Sequence, residues 1–397
     1  MKVMKHASKI YTGQPILKKE GRKLVADDIG MIEDGAIVYS DKKIIWVGKT
    51  TSLPKVYHKL QATDLKNQQS IMPGMIDSHT HLVFAGSRAK EFARRCSGTS
   101  YQEIATEGGG ILTTVQATRA ASEEELYRLA LQRVKIAHSF GVRTLECKSG
   151  YGLEHATEMK CLKVVKRLQK AVPFMTLVST YMGAHAIPQN QSKAAYLDQI
   201  TETTLPEVAK KKLATAVDIF LDEGYFDQAD ATRIFDVAKR LGLDVKVHAD
   251  ELKNTESAAF SAKNKAKSAD HLLKISGFGI SALAKSSTVA TLLPGTAFYL
   301  KEPYAPARKL LDAGARVAIA TDFNPGSCFS LNLPLMLNLG ALYMGMNSAE
   351  LFASVTYSAA AALGLEKNKG TLDQGFDSDF IVLPYPDFEE MYYRMGW

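Results

Sequence analysis

The chain has 397 residues, 46% hydrophobic and 23% charged, which excludes a disordered polymer and leaves room for one large globular domain with a small companion. Its 49 basic and 42 acidic residues give a formal charge of +7 without any dense basic run interleaved with aromatics, so nucleic acid is not the expected partner. No signal-type stretch follows Met1–His6, no apolar run is long enough to span a bilayer, and Cys96, Cys147, Cys161 and Cys328 lack CxxC spacing, so a membrane partner is not expected and the expected location is the cytoplasm.

Up to about residue 70 the pattern is short strands broken by turns. Ala36–Tyr39 and Ile44–Val47 flank Ser40-Asp41-Lys42-Lys43 and read as a hairpin. Strand and helix signals then alternate, with strands predicted at 76–82, 142–148, 175–181, 215–221, 244–249, 268–272, 288–293 and 317–322. Several are continuous apolar runs, as suits parallel strands covered on both faces. Ser122 and Glu125 form a predicted capping box ahead of a helix whose apolar face is Leu126, Leu129, Ala130, Val134 and Ala137. Ile234, Phe235, Ala238 and Leu241 make a second such stripe, stopped at Gly242. After the turns at Gly370 and Gly375, Asp379–Leu383 reads as a strand. The expected fold is therefore α/β: a TIM-like (β/α)8 barrel over 72–366, with a small β-sandwich built from both chain ends, 1–71 and 367–397.

A barrel carries its reactive groups at the C-terminal ends of its strands. In Gly74-Met75-Ile76-Asp77-Ser78-His79-Thr80-His81 the two histidines are two apart and face one side. His248 ends the fifth predicted strand and Asp322 the eighth. Each alone suits a bland role, a core histidine or a helix cap. Together, three imidazoles and a carboxylate at one barrel mouth suit one zinc or iron ion. The fourth strand ends Leu221-Asp222-Glu223, without a lysine to bridge two metals, so a single ion is expected. Glu251, three residues past His248, is placed to take a proton from a water acidified by the metal. His271 is a second candidate for proton transfer or oxyanion stabilisation, and Asp250 reads as a partner orienting a ligand.

These motifs resemble the amidohydrolase superfamily through the strand-one signature Pro73–His81. More narrowly, the chain is similar to the imidazolonepropionases, ring-opening hydrolases of histidine breakdown. The likeness runs through Val83–Arg88, Glu107-Gly108-Gly109-Gly110-Ile111, Lys148-Ser149-Gly150-Tyr151-Gly152, Gly183-Ala184-His185, His248-Ala249-Asp250-Glu251, Leu293-Pro294-Gly295 and Thr321–Ser327. The resemblance implies that His79, His81, His248 and Asp322 hold zinc or iron, and that Arg88, Tyr151 and His185 contact substrate. Glu251 would lie beside the hydrolysed bond, and Asn324, Gly326 and Ser327 would line the strand-eight side. It implies hydrolysis of the ring amide of 4-imidazolone-5-propanoate, with Glu251, His271 and Asp322 sharing proton transfer, and a homodimer. Arg88 suits the carboxylate tail of this small anionic heterocycle, although a surface ion pair is the commoner use of an arginine. A heterocycle deaminase shares His79, His81, His248, Glu251, His271 and Asp322 and is the first alternative. A non-catalytic barrel scaffold is the second, and no expected ligand is missing here.

Overall fold

The computed structural model describes residues 1–99, 103 and 109–395, so Glu107 and Gly108 of the glycine-rich motif lie outside the described residues. Five strands come first: β1 (Lys2–Tyr11), β2 (Met31–Tyr39), β3 (Ile44–Lys49), β4 (Ala62–Asp64) and β5 (Ser70–Pro73). β2 and β3 form the expected hairpin, pairing Tyr39 with Ile44. Ala7, Ile10, Ile37, Ile44 and Ile71 of these strands close on Leu65 and Leu372 to make a small core.

β1 organises this layer. It pairs antiparallel with β2 on one side, while its other side takes β4 near the N-terminal end and β5 near the C-terminal end. The switch coincides with a register shift between Met4 and Ala7, where His6 adopts φ 53°. The C-terminal strand β14 (Phe380–Leu383) adds antiparallel to β5. Hydrogen bonding thus joins the two chain ends into one six-stranded mixed sheet, the separate β layer that the sequence anticipates.

Between them lie eight parallel strands in sequential order: β6 (Met75–Asp77), β7 (Val142–Lys148), β8 (Thr176–Ala184), β9 (Ala216–Leu221), β10 (Asp244–Ala249), β11 (Ser268–His271), β12 (Val289–Leu292) and β13 (Val317–Ile319). β6 is joined to β5 by Gly74 alone. A Cβ there would stand 2.6 Å from Cβ of Arg143, so only glycine lets the chain pass from sheet to barrel. The first and last strands are shorter than predicted because their ends leave the regular ladder to close the ring. Asp322 N donates to His79 O at 3.0 Å and His81 N to Phe323 O at 2.9 Å. The apolar runs of the sequence are the barrel staves, and the closing hydrogen bonds fall on the residues expected to carry the chemistry.

The predicted stripes face the barrel. In the helix Glu123–Ser139, Leu126, Ala130, Val134 and Ala137 are wholly buried while Leu129 is half-buried. Ser122 Oγ accepts Glu125 N at 3.1 Å, one half of the expected capping box. Ile234, Phe235 and Ala238 of Gln228–Arg240 are likewise buried, and there Asp227 and Asp230 make a full reciprocal cap. Among the described residues no helix is long and apolar enough to cross a membrane.

Candidate metal centre and active site

β6 carries His79 and His81 just past its end, β10 carries His248, and Asp322 follows β13. Barrel closure brings all four together, buried to 3% exposure or less. His81 Nε2 and His248 Nε2 stand 3.4 Å apart. His79 Nε2 and His81 Nε2 lie 3.4 and 3.6 Å from Asp322 Oδ1. Two ligands at about 2.0–2.1 Å from a tetrahedral metal stand roughly 3.4 Å apart, so these separations fit a shared ion. His79 Nε2 has no hydrogen-bond partner among the described residues. Burial, then the charge of Lys148, holds His79 well below the usual histidine pKa, and burial does the same for His81. Both rings are therefore neutral, the form in which an imidazole ligates a metal.

The tautomers are set from below. His79 Nδ1 donates to Asp270 Oδ2 at 2.6 Å, and His248 Nδ1 to Asp218 Oδ1 at 3.1 Å. Each bond leaves the corresponding Nε2 free to ligate. The two aspartates belong to a buried charge layer. Lys148 pairs with Asp218, with Glu146 at 2.9 Å and with Asp270 at 3.7 Å, and Lys246 pairs with Glu146 at 2.8 Å. Burial disfavours the Lys148 ammonium, but Asp218, Glu146 and Asp270 outweigh it and raise its pKa. Burial likewise opposes the Asp218 carboxylate, and Lys148 with His248 outweighs it and lowers its pKa. Three carboxylates facing two ammonium groups leave this layer one negative charge in excess, favourable beneath a bound cation.

Glu251 and His271 stand beside the cluster, with His271 Nε2 3.4 Å from Glu251 Oε2. Burial, then the charges of Asp322 and Asp222, pushes the Glu251 carboxyl well above its ordinary range. Burial raises Asp322 to about 6, a cost that a neighbouring cation removes, and Thr296 Oγ1 donates to its Oδ2 at 2.5 Å. His271 and Asp322 adopt left-handed backbone, φ 77° and 49°, and Asp250 before Glu251 does so at 48°. Such conformations cost on the order of 1–3 kcal/mol for ordinary residues and concentrate where function requires them. Asp250 does not orient a ligand. Its carboxylate accepts the amides of Thr255, Ser257 and Ala258 at 2.9–3.1 Å and holds the loop after β10.

Of the expected substrate contacts, Tyr151 and His185 meet at the same mouth. The His185 ring stacks on His81, centroids 5.0 Å apart, and lies 5.3 Å from Tyr151. His185 Nδ1 donates to Gly150 O at 3.0 Å, and burial lowers its pKa to about 3, so a neutral ring is presented. Arg88 Nε donates to Glu91 Oε2 at 2.7 Å. The guanidinium lies on Gly326, where a Cβ would stand 2.1 Å from Nη1, so that glycine admits the arginine. Asn324 is used inside its own turn: Nδ2 donates to Asp322 O and Ser327 Oγ, and Oδ1 accepts the amides of Gly326 and Ser327. Its amide thereby shapes the strand-eight rim.

The Amidohydrolase family model matches residues 70–395. An imidazolonepropionase from Clostridium tetani is 42% identical over 99% of this chain and 94% of its own length. One from Porphyromonas gingivalis is 42% identical over 99% of this chain and 93% of its own length. The chain belongs to the amidohydrolase family, among its imidazolonepropionases. A solved 5-methylcytosine deaminase from Klebsiella pneumoniae shares this amidohydrolase's fold, with a TM-score of 0.73 at 16% identity over 98% of this chain and 93% of that one.

Sequence reasoning missed the charge layer of this amidohydrolase. Asp218 interrupts an otherwise apolar parallel strand, Ala216-Val217-Asp218-Ile219-Phe220-Leu221, and Glu146, Lys148 and Lys246 are likewise fully buried charges inside parallel strands. A charged residue inside a strand covered on both faces has only the barrel interior to point into, and that is the signal that marks them.

Proposed function

We propose that this chain hydrolyses the ring amide of 4-imidazolone-5-propanoate to N-formimidoyl-L-glutamate, a step of histidine degradation. The observation that carries the reading is the convergence of His79, His81 and His248, with Asp322 beside His79 and His81, in a chain 42% identical to imidazolonepropionases over nearly its whole length. A zinc or iron ion held by those four residues would polarise the ring carbonyl and acidify a water.

Water oxygen adds to the carbonyl carbon and the ring C–N bond breaks. Glu251 takes the water proton and delivers it to the departing ring nitrogen. Its raised proton affinity suits that ferrying role, because a carboxyl of ordinary pKa holds a proton poorly near neutrality. His271, within 3.4 Å of Glu251, and Asp322 are the neighbours through which the proton passes or the developing oxyanion is stabilised. Tyr151 and His185 bound the ring, and Arg88 grips the propanoate tail, with Asn324, Gly326 and Ser327 forming the adjacent rim.

The same reading takes 1–71 with 367–397 as one unit, 72–366 as the other, and the working assembly as a homodimer, which light scattering tests. A heterocycle deaminase uses the same metal and proton-transfer residues, but the relatives at 42% identity do not favour it. The test is Glu251→Gln. It should keep metal content near that of the parent while turnover of 4-imidazolone-5-propanoate collapses; parental turnover would remove Glu251 from the mechanism.

A further inference from the structure

Glu251 sits on a loop, and loops place side chains poorly unless something fixes the backbone. The loop leaves β10 through Asp250 in left-handed conformation and runs to the short helix Ser257–Lys263. Two carboxylates hold it. Asp250 gathers the amides of its second half. The first half is held from the neighbouring strand by Asp222, which directly follows β9 and is 3% exposed.

Asp222 Oδ2 accepts Glu251 N at 3.0 Å and Leu252 N at 2.8 Å, while Oδ1 accepts Lys253 N at 3.1 Å. Three consecutive amides thus wrap one carboxylate, and Oδ1 also accepts Glu223 N at 2.8 Å. Bonds from amides to an ionised acceptor are stronger than neutral ones, and three in sequence leave the Glu251 backbone little freedom. Asp222 is also one of the two charges that raise the Glu251 carboxyl.

We infer that Asp222 is the positioning residue for Glu251: its carboxylate fixes the 251–253 backbone so that the Glu251 side chain is held against His271. The inference rests on the reading of Glu251 as the proton carrier. The hydrogen bonds of the Asp222 carboxylate go to backbone amides and not to the four metal-binding candidates, so its loss should leave the ion in place.

The experiment uses metal-loaded full chains carrying Asp222→Ala, Asp222→Asn or Glu251→Gln. It measures kcat and KM on 4-imidazolone-5-propanoate, metal stoichiometry, thermal stability, and hydrogen exchange of the peptide covering 251–253. A displacement of about 1 Å in a catalytic group costs on the order of 10²-fold. Asp222→Ala is therefore expected to lower kcat about 10²-fold with KM changed less than about threefold. Metal stoichiometry should hold, and exchange at 251–253 should quicken. Asp222→Asn keeps the shape and one good acceptor and is expected to lose roughly tenfold, which keeps the inference testable if the alanine variant does not fold. Parental kcat in a folded Asp222 variant overturns the inference while an inactive Glu251→Gln leaves the proton-carrier reading intact. Loss of kcat that tracks loss of metal or of folded protein, with exchange at 251–253 unchanged, overturns it too. Parental turnover in Glu251→Gln instead sinks the reading beneath it.

Discussion

Replacing Asp270 by asparagine tests whether the buried acids set the metal-binding face of the histidines. Asp270 Oδ2 accepts His79 Nδ1 at 2.6 Å, and both side chains are fully buried. An asparagine can offer its oxygen, a weaker acceptor, or turn its NH2 toward Nδ1 and drive the ring proton onto Nε2, the atom that faces Asp322 at 3.4 Å. Either outcome weakens one ligand. Loss of such a hydrogen-bonding partner costs about 10–100-fold in metal affinity, or about 1.4–2.8 kcal/mol. The fold should survive, because the layer then holds Glu146 and Asp218 against Lys148 and Lys246, two charges facing two. Lys148 keeps its closer partners, since Asp270 is its farthest carboxylate at 3.7 Å. The assay is competition with a chromophoric chelator for zinc, repeated with cobalt so that its visible absorption reports the ligand set. An affinity within about twofold of the parent, with an unchanged cobalt spectrum, would refute the reasoning.

Further outcomes follow from the same geometry. Lys148→Met leaves three buried carboxylates facing Lys246 alone and should destabilise the fold by about 3–5 kcal/mol in urea denaturation; a loss below about 1 kcal/mol contradicts the charge balance. Arg88→Met should raise KM for 4-imidazolone-5-propanoate about 10–100-fold with little change in kcat, since hydrogen bonds to a charged group contribute about 1.5–3 kcal/mol. An equal rise for an analogue lacking the carboxylate tail would detach Arg88 from that role. Stripping metal with a chelator should abolish turnover and lower the melting temperature, both restored by zinc or iron, because a ligand at about 100 times its Kd stabilises by about 2.7 kcal/mol. A chelated protein of unchanged activity would remove the metal from the mechanism.

The barrel is legible in the sequence because its signals are local. Apolar runs of four to eight residues and amphipathic helices such as Glu123–Ser139 state their own periodicity. Strand ends are less so: β6 and β13 stop early because residues 79–81 and 322–323 bond to each other across a ring closure that no local pattern encodes. The pairing inside the small β layer is hidden for a similar reason, since β1 changes partner within a single strand. At the site, His79, His81, His248 and Asp322 can be read from their places at strand ends. What the sequence hides is what each polar atom is used for. The bonds by which Asn324 also holds its own turn are invisible in the spacing, and Asp250 reads as a ligand's partner until the amides of 255–258 are found on it. Asp218, Asp270 and Asp222 act through residues 29 to 191 positions away, distances over which spacing carries no information.

The central claim is the reaction itself. Freshly prepared 4-imidazolone-5-propanoate, mixed with the purified, metal-loaded chain, should lose its ultraviolet absorption and yield a product heavier by one water. No turnover by a protein shown to hold its metal would contradict the assignment and send the substrate search to heterocycles that release ammonia.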